Sequence, residues 1–433
     1  MGSLPTHSKP IKLTSMQKLT ATLCLTLAVL FGSLGISESA DYQKGLTAAQ
    51  SGDFATALHE WEPLAEQGDA SAQFNLGLMY RNGEGVPQDD KIAVKWYKLA
   101  AVQGLAYAQS NLGFMYSKGR GVPQNDKTAV KWYKLAAEQG NAVAQFNLGV
   151  RYDKGKGVTQ NDKTAVKWYK LAAEQGNAGA QNNLGMMYDK GEGVPQNDKT
   201  AVKWYRLAAE QGIASAQTSL GWMYDNGKGV PQNDKTAVKW YKLAAKQGLA
   251  DAQFNLGFMY EIGNGVSQNN KTAVKWYRLA AEKGNAGAQF NLGMLYDKGK
   301  GVPQNDKTAL KWYRLAAKQG YANAQYNLGV MYRKGQGVPK NDKTAVKWFK
   351  LAAKQGDADA QTYLGAMYEN GEGVPQNHKT AVKWYKLAAK QGDAYAQYNL
   401  GRMYGLGKGV ILDWVYAHMW GNLGASNGNE NGG

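Results

Sequence analysis

Apolar residues recur along this chain in two alternating helical patterns. The first is carried by stretches such as Ala72-Gln73-Phe74-Asn75-Leu76-Gly77-Leu78-Met79-Tyr80, and it stops at "RNGEGV", where Gly83 and Gly85 supply the left-handed backbone that ends a helix. The second opens at an Asn-Asp pair such as Asn125-Asp126, a favoured helix start, and runs through KTAVKWYKLAAEQ to the next glycine. On a helical wheel Ala129, Trp132, Tyr133 and Ala136 fall within an arc of about 100°, with Lys127, Lys131, Lys134 and Glu138 on the opposite side. The aromatic pair is therefore expected to face a packed interior and the lysines to face water. Each period is a helical hairpin, and the predicted fold class is all-α.

The period is fixed. KTAVKWY stands at 127, 163, 199, 235, 271 and 379, with KIAVKWY at 91, KTALKWY at 307 and KTAVKWF at 343, every step being 36 residues. Taking Asp69 as position 1, ten such units run from 69 to 428 without insertion or deletion. A looser forerunner fills 40–68 and the last unit diverges, as expected of capping repeats. An array of this kind grows by stacking neighbours, so the length of 433 residues implies one extended array rather than several cores.

Here the residues resemble a known family. The string A-x-A-Q-x-x-L-G-x-M-Y-x-x-G-x-G-V-x-Q-(N/D), followed by A-x-x-W-Y-x-x-A-A-x-Q-G, is similar to Sel1-like repeats, relatives of tetratricopeptide repeats with a longer loop between the helices. The resemblance covers 69–428 fully and 41–68 loosely. It implies a right-handed α-solenoid whose first helices line a concave groove, and it implies little about function.

Outside the array, Lys9, Lys12 and Lys18 precede an apolar run from Leu19 to Ile36 and the small residues of "SESA", which reads as a signal peptide over 1–39. The expected destination is export, periplasmic or secreted, with an N-terminal membrane anchor as the alternative. Cys24, the sole cysteine, lies inside that run, so no disulfide is expected in the array. Residues 429–433 read as a disordered tail.

Catalysis requires converging ionisable groups, and few are present. His59, His378 and His418 stand in different units, none near a Cys or another His, which supports neither a metal site nor a nucleophile-base pair. Some cysteine-rich Sel1-like proteins are linked to β-lactam binding, but the sole Ser-x-x-Lys match, Ser15 to Lys18, precedes the array, and that group's disulfides are absent. The paired loop glycines lack the strand, third glycine and Lys-Ser/Thr of a phosphate cradle. The expectation is a non-enzymatic protein without cofactor, metal or small-molecule substrate.

Differences among sister repeats locate the expected binding surface. Positions 2, 4, 5, 8, 9 and 12 are Ala, Ala, Gln, Leu, Gly and Tyr throughout, whereas positions 3, 6, 10 and 13 vary and share one arc of roughly 80°. A slot that takes both Trp and Ala, or Phe and Ser, is not a tightly filled core site. The expected partner-binding residues are Phe74, Leu78, Phe114, Phe146, Met186, Trp222, Phe254, Phe258, Phe290, Tyr326, Tyr398 and Arg402. Their apolar bias points to an extended peptide or helix of another protein. The net charge of +17 and a lysine at position 27 of every regular unit offer an alternative, an anionic envelope lipid or glycan bound on the outer ridge, with nucleic acid not expected.

Overall fold

The computed structural model describes residues 40–430, all helices and connecting turns. The expected signal peptide and Cys24 lie outside the described residues. Contacts divide the chain into two compact units, residues 1–197 and 198–433. Helices are numbered α1 to α22 along the described residues. The first unit holds α1 (Ala40–Ser51), α2 (Phe54–Glu66), α3 (Ala70–Asn82), α4 (Asp90–Val102), α5 (Ala106–Lys118), α6 (Asp126–Glu138), α7 (Ala142–Lys154), α8 (Asp162–Glu174) and α9 (Ala178–Lys190). The second holds α10 (Asp198–Glu210), α11 (Ala214–Asn226), α12 (Asp234–Lys246), α13 (Ala250–Ile262), α14 (Asn270–Glu282), α15 (Ala286–Lys298), α16 (Asp306–Lys318), α17 (Ala322–Lys334), α18 (Asp342–Lys354), α19 (Ala358–Asn370), α20 (His378–Ala389), α21 (Ala394–Leu406) and α22 (Trp414–Glu430). α22 takes in the first two residues of the expected tail. Within each unit every helix packs on the next in sequence.

Local chemistry sets the helix ends. Asn233 caps α12 by accepting a hydrogen bond from the Thr236 amide, and Asn125, Asn161, Asn269, Asn305, Asn341 and Asn377 do the same at their own helices. The cap is thus the Asn of the pair, and the Asp position, where His378 stands in α20, is the first helical residue. First helices close on a left-handed glycine, such as Gly227 at φ 65°. The second loop glycine has a packing role, because a Cβ at Gly229 would collide with the backbone of Asp198 at the start of α10.

The core is made between consecutive repeats. Ala237, Val238, Tyr241, Ala244 and Ala245 of α12 bury against Ala252, Leu256 and Met259 of α13, and the same set recurs from layer to layer. Within a repeat, the position-9 glycine admits the aromatic ring at position 29. A Cβ at Gly257 would stand 2.8 Å from Cδ1 of Tyr277, whose ring is fully buried. Of the expected inward pair, the tyrosine is the core residue. The tryptophans lie half-buried at its margin, apart from buried Trp312, and several carry the preceding lysine over their ring, as with Lys239 Nζ 5.5 Å from Trp240.

A buried amide ladder ties the layers together. Gln217 Nε2 donates to the Ala209 carbonyl at 3.1 Å, while its Oε1 accepts from Gln247 Nε2 at 2.9 Å, which also donates to Gly212 O at 2.9 Å. The arrangement recurs at Gln289 with Gln319 and at Gln325 with Gln355. One rung is broken: position 35 is Lys283 where the other regular units carry Gln, Lys283 donates to Gly248 O, and buried Gln253 Oε1 has no partner. An unmet buried acceptor costs more than a net hydrogen bond returns. Lys283→Gln is therefore expected to raise unfolding stability by about 1 kcal/mol, read from denaturant midpoints at unchanged slope.

Candidate functional site

The constant side of each first helix is consumed by packing. Ala, Gln, Leu and Gly at positions 4, 5, 8 and 9 are all buried, which leaves positions 3, 6, 10 and 13 on the opposite arc.

In the first unit, Phe74, Leu78, Phe114, Phe146 and Met186 are each half-buried. Phe74, Leu78 and Phe114 converge on one core layer. Phe74 lies 6.0 Å from buried Tyr97 and 6.2 Å from Tyr107, and Phe146 lies 6.1 Å from Tyr169. The Arg81 guanidinium covers the Phe114 ring at 5.2 Å.

In the second unit, Phe254, Phe290 and Tyr326 are half-buried and rest on the core ring of their own repeat, at 5.8, 5.9 and 5.9 Å from Tyr277, Tyr313 and Phe349. Position 6 is thus a shoulder of the core that still shows one side to solvent. Trp222, Phe258 and Tyr398 stand out further, 37%, 42% and 60% exposed. Lys228 Nζ sits 4.7 Å above the Trp222 ring. Arg402 differs from the aromatic positions, since it is held by Glu369 in an ion pair.

One set of residues on this arc is not among the binding residues expected from the sequence. Asp225, Glu261 and Asp297 occupy position 13 of three successive repeats, one helical turn beyond Trp222, Phe258 and Met294. Each accepts a hydrogen bond from the core tyrosine hydroxyl of its repeat, Tyr241 at 3.4 Å, Tyr277 at 2.6 Å and Tyr313 at 3.4 Å. Among the described residues none of the three is ion-paired. Burial, reinforced by Asp234, raises the Asp225 carboxyl above its ordinary range, and burial with Asp306 does the same for Asp297. Burial and the adjacent carboxylate push the Tyr277 hydroxyl upward as well. The signal was legible: position 13 is a carboxylate in five successive repeats, Asp153, Asp189, Asp225, Glu261 and Asp297, and again at Glu369. Tyr395, exposed at position 3, was also missed.

No group of three or more potential metal ligands occurs among the described residues. The surface offers apolar rings, hydrogen-bonded carboxylates and cation-covered tryptophan, which together suit binding.

Ten consecutive segments match the Sel1 repeat family: residues 70–105, 106–141, 142–177, 178–213, 214–249, 250–285, 286–321, 322–357, 358–393 and 394–429. The chain belongs to the Sel1 repeat family. No curated protein matches it. Among solved structures, this Sel1 repeat protein is similar to a protective antigen present in uropathogenic Escherichia coli strains displaying an SLR fold, at 40% identity and TM-score 0.81, covering 94% of this chain and 90% of that one. It is also similar to a Sel1 repeat protein from Oxalobacter formigenes, at 34% identity and TM-score 0.54, covering 77% and 95%. The Sel1 assignment accounts for the helical pairing and the 36-residue step, and it makes the chain a scaffold of a kind typically used in protein interactions.

The raised carboxyls have a pH consequence. A carboxyl whose folded pKa lies above its unfolded value adds stability below the unfolded pKa, and that contribution is lost as pH rises through the folded pKa. Asp225→Asn and Asp297→Asn are accordingly expected to raise the thermal midpoint near neutral pH, with the difference from wild type vanishing as pH falls below the ordinary carboxylate range. A pH series of melting curves checks this.

Proposed function

We propose that this Sel1 repeat protein is a non-catalytic docking scaffold whose first helices in the second unit take an extended segment of a partner protein. The observation that carries the reading is the coincidence of exposed Trp222 and Phe258 with Asp225, Glu261 and Asp297, carboxylates bonded to tyrosine hydroxyls and, among the described residues, to no cation, along one register. Large rings resting near a rigid core are preorganised anchors, so little side-chain entropy is lost on contact. Carboxylates held by tyrosine hydroxyls next to those rings favour lysine or arginine side chains in the partner, whereas the opposite face of the same repeats is basic. The fitting partner is a segment that alternates apolar and cationic residues.

A photo-crosslinking residue placed at 258 is expected to trap a discrete protein, and the same residue at 239, on the outer face, to trap none. Trp222→Ala with Phe258→Ala should weaken that partner at least about tenfold with unchanged helical circular dichroism. Equal capture from both faces, or an unaffected affinity, overturns the reading.

A further inference from the structure

The opposite face of the second unit changes character toward α22. Positions 23, 27, 30 and 34 lie on the outer side of each second helix. In the first unit the last of these is an acid in two repeats, and Glu138 and Glu174 lie 3.8 and 3.9 Å from Lys134 and Lys170. In α16, α18 and α20 with its cap the same position is Lys318, Lys354 and Lys390, and every one of the four outer positions is Lys or Arg. Unneutralised charge is thus densest in the repeats next to α22.

On α22 the first two of these positions turn apolar, as Val415 and Met419, and the other two are the uncharged Asn422 and Ser426. With Leu423 at position 31, a leucine in every repeat, they form one stripe at four-residue spacing, continued into the preceding loop by Ile411 and Leu412. Ile411 is 90% and Val415 79% exposed. Positions 19, 23 and 27 are exposed in all the regular repeats as well, where they carry Pro, Thr or Ser, then Lys and Lys, so the exposure belongs to the register itself. Trp414 and Tyr416 stand exposed beside the stripe. Both α20 and α22 pack on α21, so the apolar stripe and the lysines occupy equivalent outward positions in adjacent repeats.

We propose that α22 and the flanking lysine face form a docking element for an anionic lipid bilayer, on which the stripe lies at the level of the headgroups. Apolar side chains with Trp and Tyr suit the boundary between headgroup and acyl chain, and lysines beside them suit an anionic leaflet. No helix among the described residues is long and apolar enough to cross a membrane, so the contact is lateral. A second copy of this chain fits less well, because a two-fold contact through the stripe brings two lysine faces together. This element is independent of the first-helix surface described above.

The test exploits the repeat's own consensus. Val415→Lys with Met419→Lys installs the residue that the nine regular sister repeats carry at both positions, which the fold accepts and which adds positive charge. The full chain is expected to co-sediment with phosphatidylcholine vesicles only when they contain phosphatidylglycerol. The double variant should bind at least about fivefold more weakly despite its higher charge. Residues 19 to 36 are themselves apolar, so lipid contact is also read at the site, as bromolipid quenching of the fluorescence difference between wild type and Trp414→Phe. Unchanged or tighter binding by the variant, absence of Trp414 quenching, or a dimer by light scattering that the variant abolishes overturns the proposal.

Discussion

A tyrosine ring seated against a bare glycine Cα is the contact on which this array depends. Because position 9 has no side chain, the ring at position 29 fills the space between the two helices of its repeat and meets the next first helix, as Tyr241 does between Gly221 and the layer of Leu256. Two helices brought this close have no room for variation on their facing sides. That constraint explains why Ala, Gln, Leu and Gly hold their positions in every unit and why difference accumulates only on outward arcs. Constancy and variability in this sequence are therefore two aspects of one packing geometry.

The two outward arcs of the second unit have opposite electrostatic character. Carboxylates near a low-dielectric surface, bonded to tyrosine hydroxyls, mark the first helices, while the second helices carry lysines that lean over tryptophan or reach into water. A thin layer of helix pairs keeps these charges apart with little compensation by ion pairs, so each face offers a distinct surface to a distinct kind of ligand.

Much of the fold was legible in the sequence because the information is repeated. Asn125, Gly83 and the KTAVKWY ladder gave the helices, their ends and the period, since caps and wheels depend on neighbours in the chain. Choosing between Trp132 and Tyr133 as the core residue was beyond a wheel, because both fall in the inward arc. The decision rests on which ring meets a glycine from another helix. Phe254 illustrates the same limit: its variability argued for an open surface, yet its support is Tyr277, 23 residues on, and it emerges as a half-buried shoulder. The constancy of Gln217 was visible, but its donor arrives from Gln247, thirty residues on at the end of the following helix. α22 looked like a divergent cap, whereas its divergence removes lysines from an outer register and leaves apolar residues there.

The broken rung at Gln253 and Lys283 bears on how the array comes apart. In a linear stack each layer is held only by its neighbours, so opening begins at the weakest junction and spreads until it meets a stronger one. With nearly identical layers elsewhere, a single mismatched amide defines a preferred fracture plane between α13 and the end of α14, while Gln253 still bonds the Ala245 carbonyl of α12. The residues on either side of it would exchange their amide protons as separate cooperative blocks, giving an otherwise uniform polymer of repeats an internal boundary fixed by one side chain.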